Sequence, residues 1–351
     1  MRAYSYKIKL SSKKLLPCAF LFSLALFISL SSIAVTNAQQ LETAVTDPET
    51  GAPVPGWYGE EQELQELWQQ RQQRFSDHAG QSAALGLQNY ESIELASVIE
   101  GGTSRSGYIE GDYAYFGDGP VFVIADLSMP DMPQERGRIS MPGLISDIKV
   151  QGDYAYVASR APGGFHIIDI SDKDAPVEVF SQTNRGAFAI DVTGTDAFVG
   201  NGTQGLTRFD ITTPEDTAEL DFINTPGSAN GISVNDSGDL LFVALGNPGA
   251  GIYDVSADDE TTLIDIIELD GFVNGTDIVD ELLYLSWADG YSVYDVSDIE
   301  NPTFAGDYND DDTTIRESKV VGDLAYISGS FGLRILDVSD PSAITLVVTT
   351  R

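Results

Sequence analysis

Side chains able to do covalent or acid–base chemistry are scarce in this chain, apart from its carboxylates. The only histidines are His78 and His166, and the single cysteine is Cys18. Histidine-based proton transfer and thiolate or imidazole metal sites therefore have little material to work with. Carboxylates number 54, and six recur in one setting: Asp126-Leu127-Ser128, Asp169-Ile170-Ser171, Asp210-Ile211-Thr212, Asp254-Val255-Ser256, Asp295-Val296-Ser297 and Asp337-Val338-Ser339. An aspartate present in every copy points to construction more than to catalysis. At the end of a strand it can accept backbone N–H bonds from the following turn, reinforced by the hydroxyl two residues on. His166 stands three residues before such an aspartate, where the other copies hold Val123, Thr207, Gly251, Ser292 and Arg334. It reads as a variable strand position, and His78 lies outside the copies. A Ser-His-Asp hydrolase is not expected.

The elements that carry these aspartates follow from their spacing. Successive copies lie 43, 41, 44, 41 and 42 residues apart, the period of a propeller blade. A second marker, the aromatic series Tyr115, Tyr156, Phe198, Phe242, Tyr284 and Tyr326, keeps the same register and reads as core packing. Alternating or continuous apolar runs such as Asp153-Tyr154-Ala155-Tyr156-Val157, separated by Gly-rich turns, predict strands and hairpins. One repeat reads as four strands at 147–150, 154–158, 165–170 and 177–181. A lone four-stranded sheet cannot bury both faces, whereas radial repetition covers them and leaves only short edges. The fold expected is therefore an all-β propeller of six four-stranded blades, with an elongated β-solenoid as the less favoured arrangement. Residues 92–99 resemble the last strand of a further blade, so seven-fold closure stays open, although 343–349 already supplies the outer strand of the sixth.

The segments Phe165-His166-Ile167-Ile168-Asp169-Ile170-Ser171 and Leu333-Arg334-Ile335-Leu336-Asp337-Val338-Ser339-Asp340-Pro341, with Gly152-Asp153-Tyr154-Ala155-Tyr156-Val157, resemble LVIVD-repeat proteins over residues 92–349. The resemblance implies an exported or surface-associated β-propeller and carries no catalytic signature. Asp210-Ile211-Thr212-Thr213-Pro214 and Asp254-Val255-Ser256-Ala257-Asp258 depart from the Ser-Asp-Pro ending, which predicts altered outer turns in those blades.

Ahead of the repeats, Arg2, Lys7, Lys9, Lys13 and Lys14 precede an apolar run from Leu15 to Ile33 and the small-residue stretch Val35-Thr36-Asn37-Ala38, the pattern of a cleaved secretory signal. Three regions follow: a signal peptide at 1–38, a leader at 39–90, and the propeller at 91–351. In the leader, Leu64, Leu67, Trp68 and Phe75 predict a short amphipathic helix over 60–75. Without the signal no cysteine remains, no membrane span is expected, and the formal charge goes from −35 to −40. Nucleic acid and anionic membrane surfaces are poor partners for such a chain.

If the propeller has a site, it should lie where the loops that differ between repeats open on one face of the central channel. Those loops offer Arg105, Arg160, Arg185, Asn274, Trp287, Asp289 and Arg316, a mixture suited to a polar small molecule or a protein partner. The densest carboxylate cluster, Asp310, Asp311 and Asp312, has the oxygen chemistry for Ca²⁺, the one cofactor the sequence suggests, but lacks the spaced ligands of an EF-hand loop. Asn201-Gly202-Thr203, Asn235-Asp236-Ser237 and Asn274-Gly275-Thr276 match the glycosylation triplet. The expected function is an exported, non-catalytic binding or scaffold propeller. The alternative is a propeller hydrolase or lactonase around a central divalent cation.

Overall fold

A computed structural model describes residues 44–46, 53–58 and 104–350, except 131, 258, 259, 289, 310–313 and 330. The signal and the helix expected at 60–75 lie outside the described residues. An antiparallel hairpin, β1 (Ala44–Thr46) and β2 (Pro53–Tyr58), comes first in the chain.

Six four-stranded antiparallel sheets follow, each in simple up-and-down order. Blade 1 is β3 (Gly107–Glu110), β4 (Tyr113–Asp118), β5 (Val121–Asp126) and β6 (Gln134–Ser140), and blade 2 is β7 (Ile145–Gln151), β8 (Tyr154–Ser159), β9 (Phe165–Asp169) and β10 (Val177–Gln182). Blade 3 comprises β11 (Ala189–Thr193), β12 (Asp196–Gly200), β13 (Leu206–Asp210) and β14 (Ala218–Ile223); blade 4 comprises β15 (Gly231–Val234), β16 (Leu240–Ala244), β17 (Ala250–Asp254) and β18 (Thr262–Ile267). Blade 5 runs through β19 (Val273–Val279), β20 (Leu282–Trp287), β21 (Gly290–Asp295) and β22 (Thr303–Asn309). Blade 6 ends the series with β23 (Ile315–Val321), β24 (Leu324–Gly329), β25 (Gly332–Asp337) and β26 (Thr345–Thr350). The molecule is a six-bladed β-propeller, and the first strand of each blade lines the channel.

The two sequence markers have distinct structural roles. All six aromatics are buried in the second strands. Each marker aspartate ends a third strand and accepts the backbone N–H two residues on, as in Ser128 to Asp126 at 2.9 Å, Thr212 to Asp210 at 2.8 Å and Ser339 to Asp337 at 3.0 Å. The residue between them donates its N–H to the first hairpin turn of the same blade, from Leu127 to Asp112 in blade 1 through Val338 to Asp323 in blade 6. Just before every marker, the pairing of third and fourth strands slips by a bulge, which adds twist to the outer strand.

Adjacent blades share apolar clusters. Blades 2 and 3, for instance, meet through Tyr156, Phe165, Ile167, Ile190, Val199 and Phe209, with the Phe165 and Phe209 ring centroids 4.8 Å apart. At the rim, Gly306 leaves room for Pro341 of the next blade, because a Cβ there would strike its carbonyl. The turn expected to be altered after Asp210 keeps its shape and loses only its cap, since Thr213 makes no side-chain bond where Asp340 accepts the Ser342 N–H. Pro214–Asp216 forms the same single 3-10 turn as Pro341–Ala343, since a proline in the first turn presets the backbone even where serine and aspartate are replaced.

Candidate functional site

The channel is built by register. The residue paired with each buried aromatic is Tyr108, Lys149, Asp191, Ser233, Asp277 and Lys319 in blades 1 to 6. One charged or polar residue per blade thus forms a ring, and two residues earlier Ser106, Asp147 and Glu317 stand toward the mouth. Most of these side chains have partners in the neighbouring blade. The Lys149 ammonium lies 3.4 Å from Asp191, and that of Lys319 lies 2.6 Å from Asp277.

Carboxylates also fasten three of the inner strands to the next. Asp147 accepts the Ile190 N–H at 2.9 Å, Asp191 the Val234 N–H at 3.0 Å and Asp277 the Val320 N–H at 2.7 Å. At the remaining junctions between consecutive blades hydroxyls take over: Ser106 Oγ accepts the Ile148 N–H at 3.1 Å, and Ser233 Oγ donates to Thr276 Oγ1 at 3.0 Å.

Electrostatics in the channel follow from its crowding. Burial pushes Asp147 up despite Lys149 and three hydrogen-bond donors. Burial, and next the Asp147 carboxylate, push Glu317 up to about 8, with Lys149 and Lys319 acting against them. Lys149 is held above the usual lysine range: burial pulls it down, but Asp191, Asp147 and Asp277 outweigh that. Its side chain remains 27% exposed. This ring was missed in the loop-centred reading of the sequence. A signal existed, because Tyr108, Lys149, Asp191, Asp277 and Lys319 each stand seven residues before the aromatic marker, and Ser233 differs through a longer hairpin.

The loops before the first strands and those between second and third strands do share one face. Ala187 N–H bonds Ser159 O, Ser228 bonds Leu245, Ala288 bonds Phe272, and Gly202 and Ala229 bond each other. On this face Arg160 stacks its guanidinium on the Phe188 ring, 4.5 Å from the centroid. Its Nε is buried without a hydrogen-bond partner, and burial, then neighbouring Arg105, lowers its pKa. Arg105 itself is exposed. A second group lies across blades 5 and 6: Trp287 Nε1 donates to Ser292 Oγ at 3.0 Å, Asn274 Nδ2 donates to the Ile315 carbonyl at 2.8 Å, and exposed Arg316 adjoins that carbonyl in sequence. Arg185 is drawn away from both groups to the outer strand of blade 3, 2.9 Å from Glu219 and over the Phe222 ring.

Asp289 and the trio Asp310, Asp311 and Asp312 lie outside the described residues. Two glycosylation-type asparagines serve the fold itself, for Asn201 is buried and accepts from Thr207 Oγ1 at 2.7 Å, while Asn235 organises the first hairpin turn of blade 4. His166 is fully buried, and its Nδ1 lies 2.9 Å from Glu178. Burial lowers its pKa against the pull of that carboxylate.

The LVIVD repeat family model matches residues 101–140, 142–183 and 316–350, which fall on blades 1, 2 and 6. No curated protein matches the chain. Among solved structures, a functionally unknown protein from Desulfotomaculum acetoxidans DSM 771 is similar at 12% identity and a TM-score of 0.58, over 72% of this chain and 92% of that one. A candidate 6-phosphogluconolactonase from Bacteroides fragilis NCTC 9343 is similar at 13% identity and a TM-score of 0.62, over 75% of this chain and 89% of that one. The computationally designed Ika8 protein matches at 11% identity and a TM-score of 0.53, over 75% and 76%. At such identities the likeness is one of fold.

Proposed function

We propose that this LVIVD-repeat propeller is an exported, non-catalytic binding protein whose loop face takes a polar, anionic ligand or an acidic segment of a protein partner. Arg160 carries the reading. In a chain with 54 acidic residues, this guanidinium pairs with no carboxylate among the described residues, stands beside Arg105, and keeps a buried N–H without an acceptor. A partly desolvated guanidinium is costly when left unpaired, and its planar fork suits carboxylate or phosphate oxygens. The surrounding field is negative, so attraction must come from short-range contact inside the loop ring.

Thermal shift and calorimetry with inorganic phosphate, citrate and a glutamate-rich peptide test this. At least one anion should raise the melting temperature of the parent protein, and Arg160→Gln should abolish that shift while keeping the parent's circular dichroism. Retention of the shift by Arg160→Gln, or no response to any anion, would sink the proposal. The competing hydrolase or lactonase reading draws less support. Among the described residues no three His, Cys, Asp or Glu side chains gather in a metal-ligating group, and Asp191 and Asp277 are committed to lysines and backbone amides. One calcium per chain surviving dialysis would favour it. Export is tested by N-terminal sequencing of secreted protein, which should begin at Gln39.

A further inference from the structure

The channel ring has a companion at the mouth. Three residues before Tyr108, Lys149, Asp191, Ser233, Asp277 and Lys319 stand Arg105, Ser146, Phe188, Asn230, Asn274 and Arg316, and in a chain with 54 acidic residues none of these six places holds a carboxylate. In blades 2, 5 and 6 this residue is the extra one of a bulge between first and second strands, a device that re-aims a side chain. Ser146 and Asn274 use it to fasten blades: Ser146 Oγ donates to the Ala187 carbonyl at 2.8 Å, and Asn274 Nδ2 to that of Ile315 at 2.8 Å. Asn230 does not. Its Oδ1 accepts from Ser228 Oγ at 2.8 Å, while its Nδ2 is buried with no acceptor.

Arg160 and Asn230 belong to one arc across blades 2 to 4. The Phe188 ring carries the Arg160 guanidinium and rests on Gly202, where a Cβ would come within 2.8 Å of it; Gly202 in turn bridges to Ala229, the neighbour of Asn230. Backbone acceptors on this arc are already engaged. The Ser159 carbonyl takes the Ala187 N–H at 3.0 Å, the Ala229 carbonyl that of Gly202 at 3.0 Å, and the Leu245 carbonyl that of Ser228 at 2.9 Å. Two donors without acceptors are left, on Arg160 and Asn230. The glycine contact recurs one blade on: Asn230 bonds the Ala244 carbonyl, and two residues further Gly246 bridges to Val273 and bears the Phe272 ring, 39% exposed.

We propose, resting on Arg160 as the anion site, that this arc binds an acidic oligosaccharide, a chain of sugar units bearing carboxylates. A carboxylate sits on Arg160, a sugar hydroxyl accepts from Asn230 Nδ2, and the C–H face of a neighbouring sugar covers Phe272. Asn230 is half-buried, so a turn of its amide brings Nδ2 to the rim. Donors beside an exposed apolar ring suit a ligand that brings acceptors. A peptide brings its own N–H groups, which need acceptors that this arc has already committed.

Calorimetry on the full-length protein compares trigalacturonate, free galacturonate, neutral maltotriose, citrate and a glutamate-rich peptide. Trigalacturonate should bind about tenfold tighter than free galacturonate, the gain expected from covering an aromatic ring, and tighter than maltotriose or the peptide. Its sugar protons should move upfield in NMR spectra by stacking on Phe272. Phe272→Ala should remove those upfield shifts and weaken trigalacturonate about tenfold. Asn230→Asp, which keeps the size and the bond from Ser228 but puts a carboxylate where the donor was, should abolish binding. Trigalacturonate binding that survives both substitutions unchanged overturns the proposal. If citrate or free galacturonate binds through Arg160 but the trisaccharide binds no tighter, or the peptide binds tighter, the ligand class is overturned and the anion site stands. If maltotriose binds as well as trigalacturonate and Arg160→Gln retains both, or nothing binds, the anion site falls and this proposal with it.

Discussion

Glu317 is the residue whose protonation the fold alters in the most readily measured way. Burial and the Asp147 carboxylate raise it from 4.5 to about 8, so the folded chain holds this proton more tightly than the unfolded chain does. Linkage fixes the sign: the group leaves stability untouched below about pH 4, and lowers it progressively as pH rises from its unfolded value to its folded one. Glu317→Gln should therefore melt higher than the parent at pH 9, by several degrees for a domain of this size, and the gap should close by pH 4. Equal melting temperatures at pH 9 would show that Lys149 and Lys319 fully offset the burial. The marker aspartates behave in the opposite sense. Asp126, Asp169, Asp210, Asp254 and Asp295 are held below the usual carboxylate range, first by the serine or threonine side chain two residues on and then by its backbone N–H. Their contribution is present at neutral pH and is lost as pH falls through those lowered values.

At the scale of strands and blades, the bonds between inner strands are the feature most exposed to a single change. Asp277 is buried, accepts the Val320 N–H at 2.7 Å and holds Lys319. Asp277→Ala removes both and leaves a buried N–H without an acceptor, a loss of roughly 2–3 kcal/mol. Urea titration should show a lower midpoint with an unchanged slope, and a variant as stable as the parent would mean that water replaces the carboxylate. Blade number, strand limits and the role of the marker aspartates were legible in the sequence because each is repeated, and repetition exposes a local rule such as the turn after Asp169. The channel ring was harder to read: Lys149, Asp191 and Lys319 share a position but not a residue type, and only the pairing of first and second strands aligns them. The outward path of Arg185 was hidden for another reason, since its partners Glu219 and Phe222 come from a distant strand.

The whole molecule is governed by its charge. Without the first 38 residues it carries 14 Lys and Arg against 54 Asp and Glu, and the few internal ion pairs neutralise little of that excess. Raising NaCl from about 0.1 to 1 M shortens the screening length from about 10 to 3 Å, so the melting temperature should rise over that range. A flat or falling response would show that the carboxylates are too well spaced to repel. Among the contacts between blades, by contrast, three hydrogen bonds are almost indifferent to sequence. Asp147, Asp191 and Asp277 each bond the backbone N–H of the following strand, a donor that every residue except proline provides. A blade copied within the coding sequence would therefore arrive with half of its fastening in hand and find the other half in whatever blade came next. At these three junctions the polar fastening thus places no demand on the residue it bonds, and fit between neighbouring blades is left to the apolar clusters behind it.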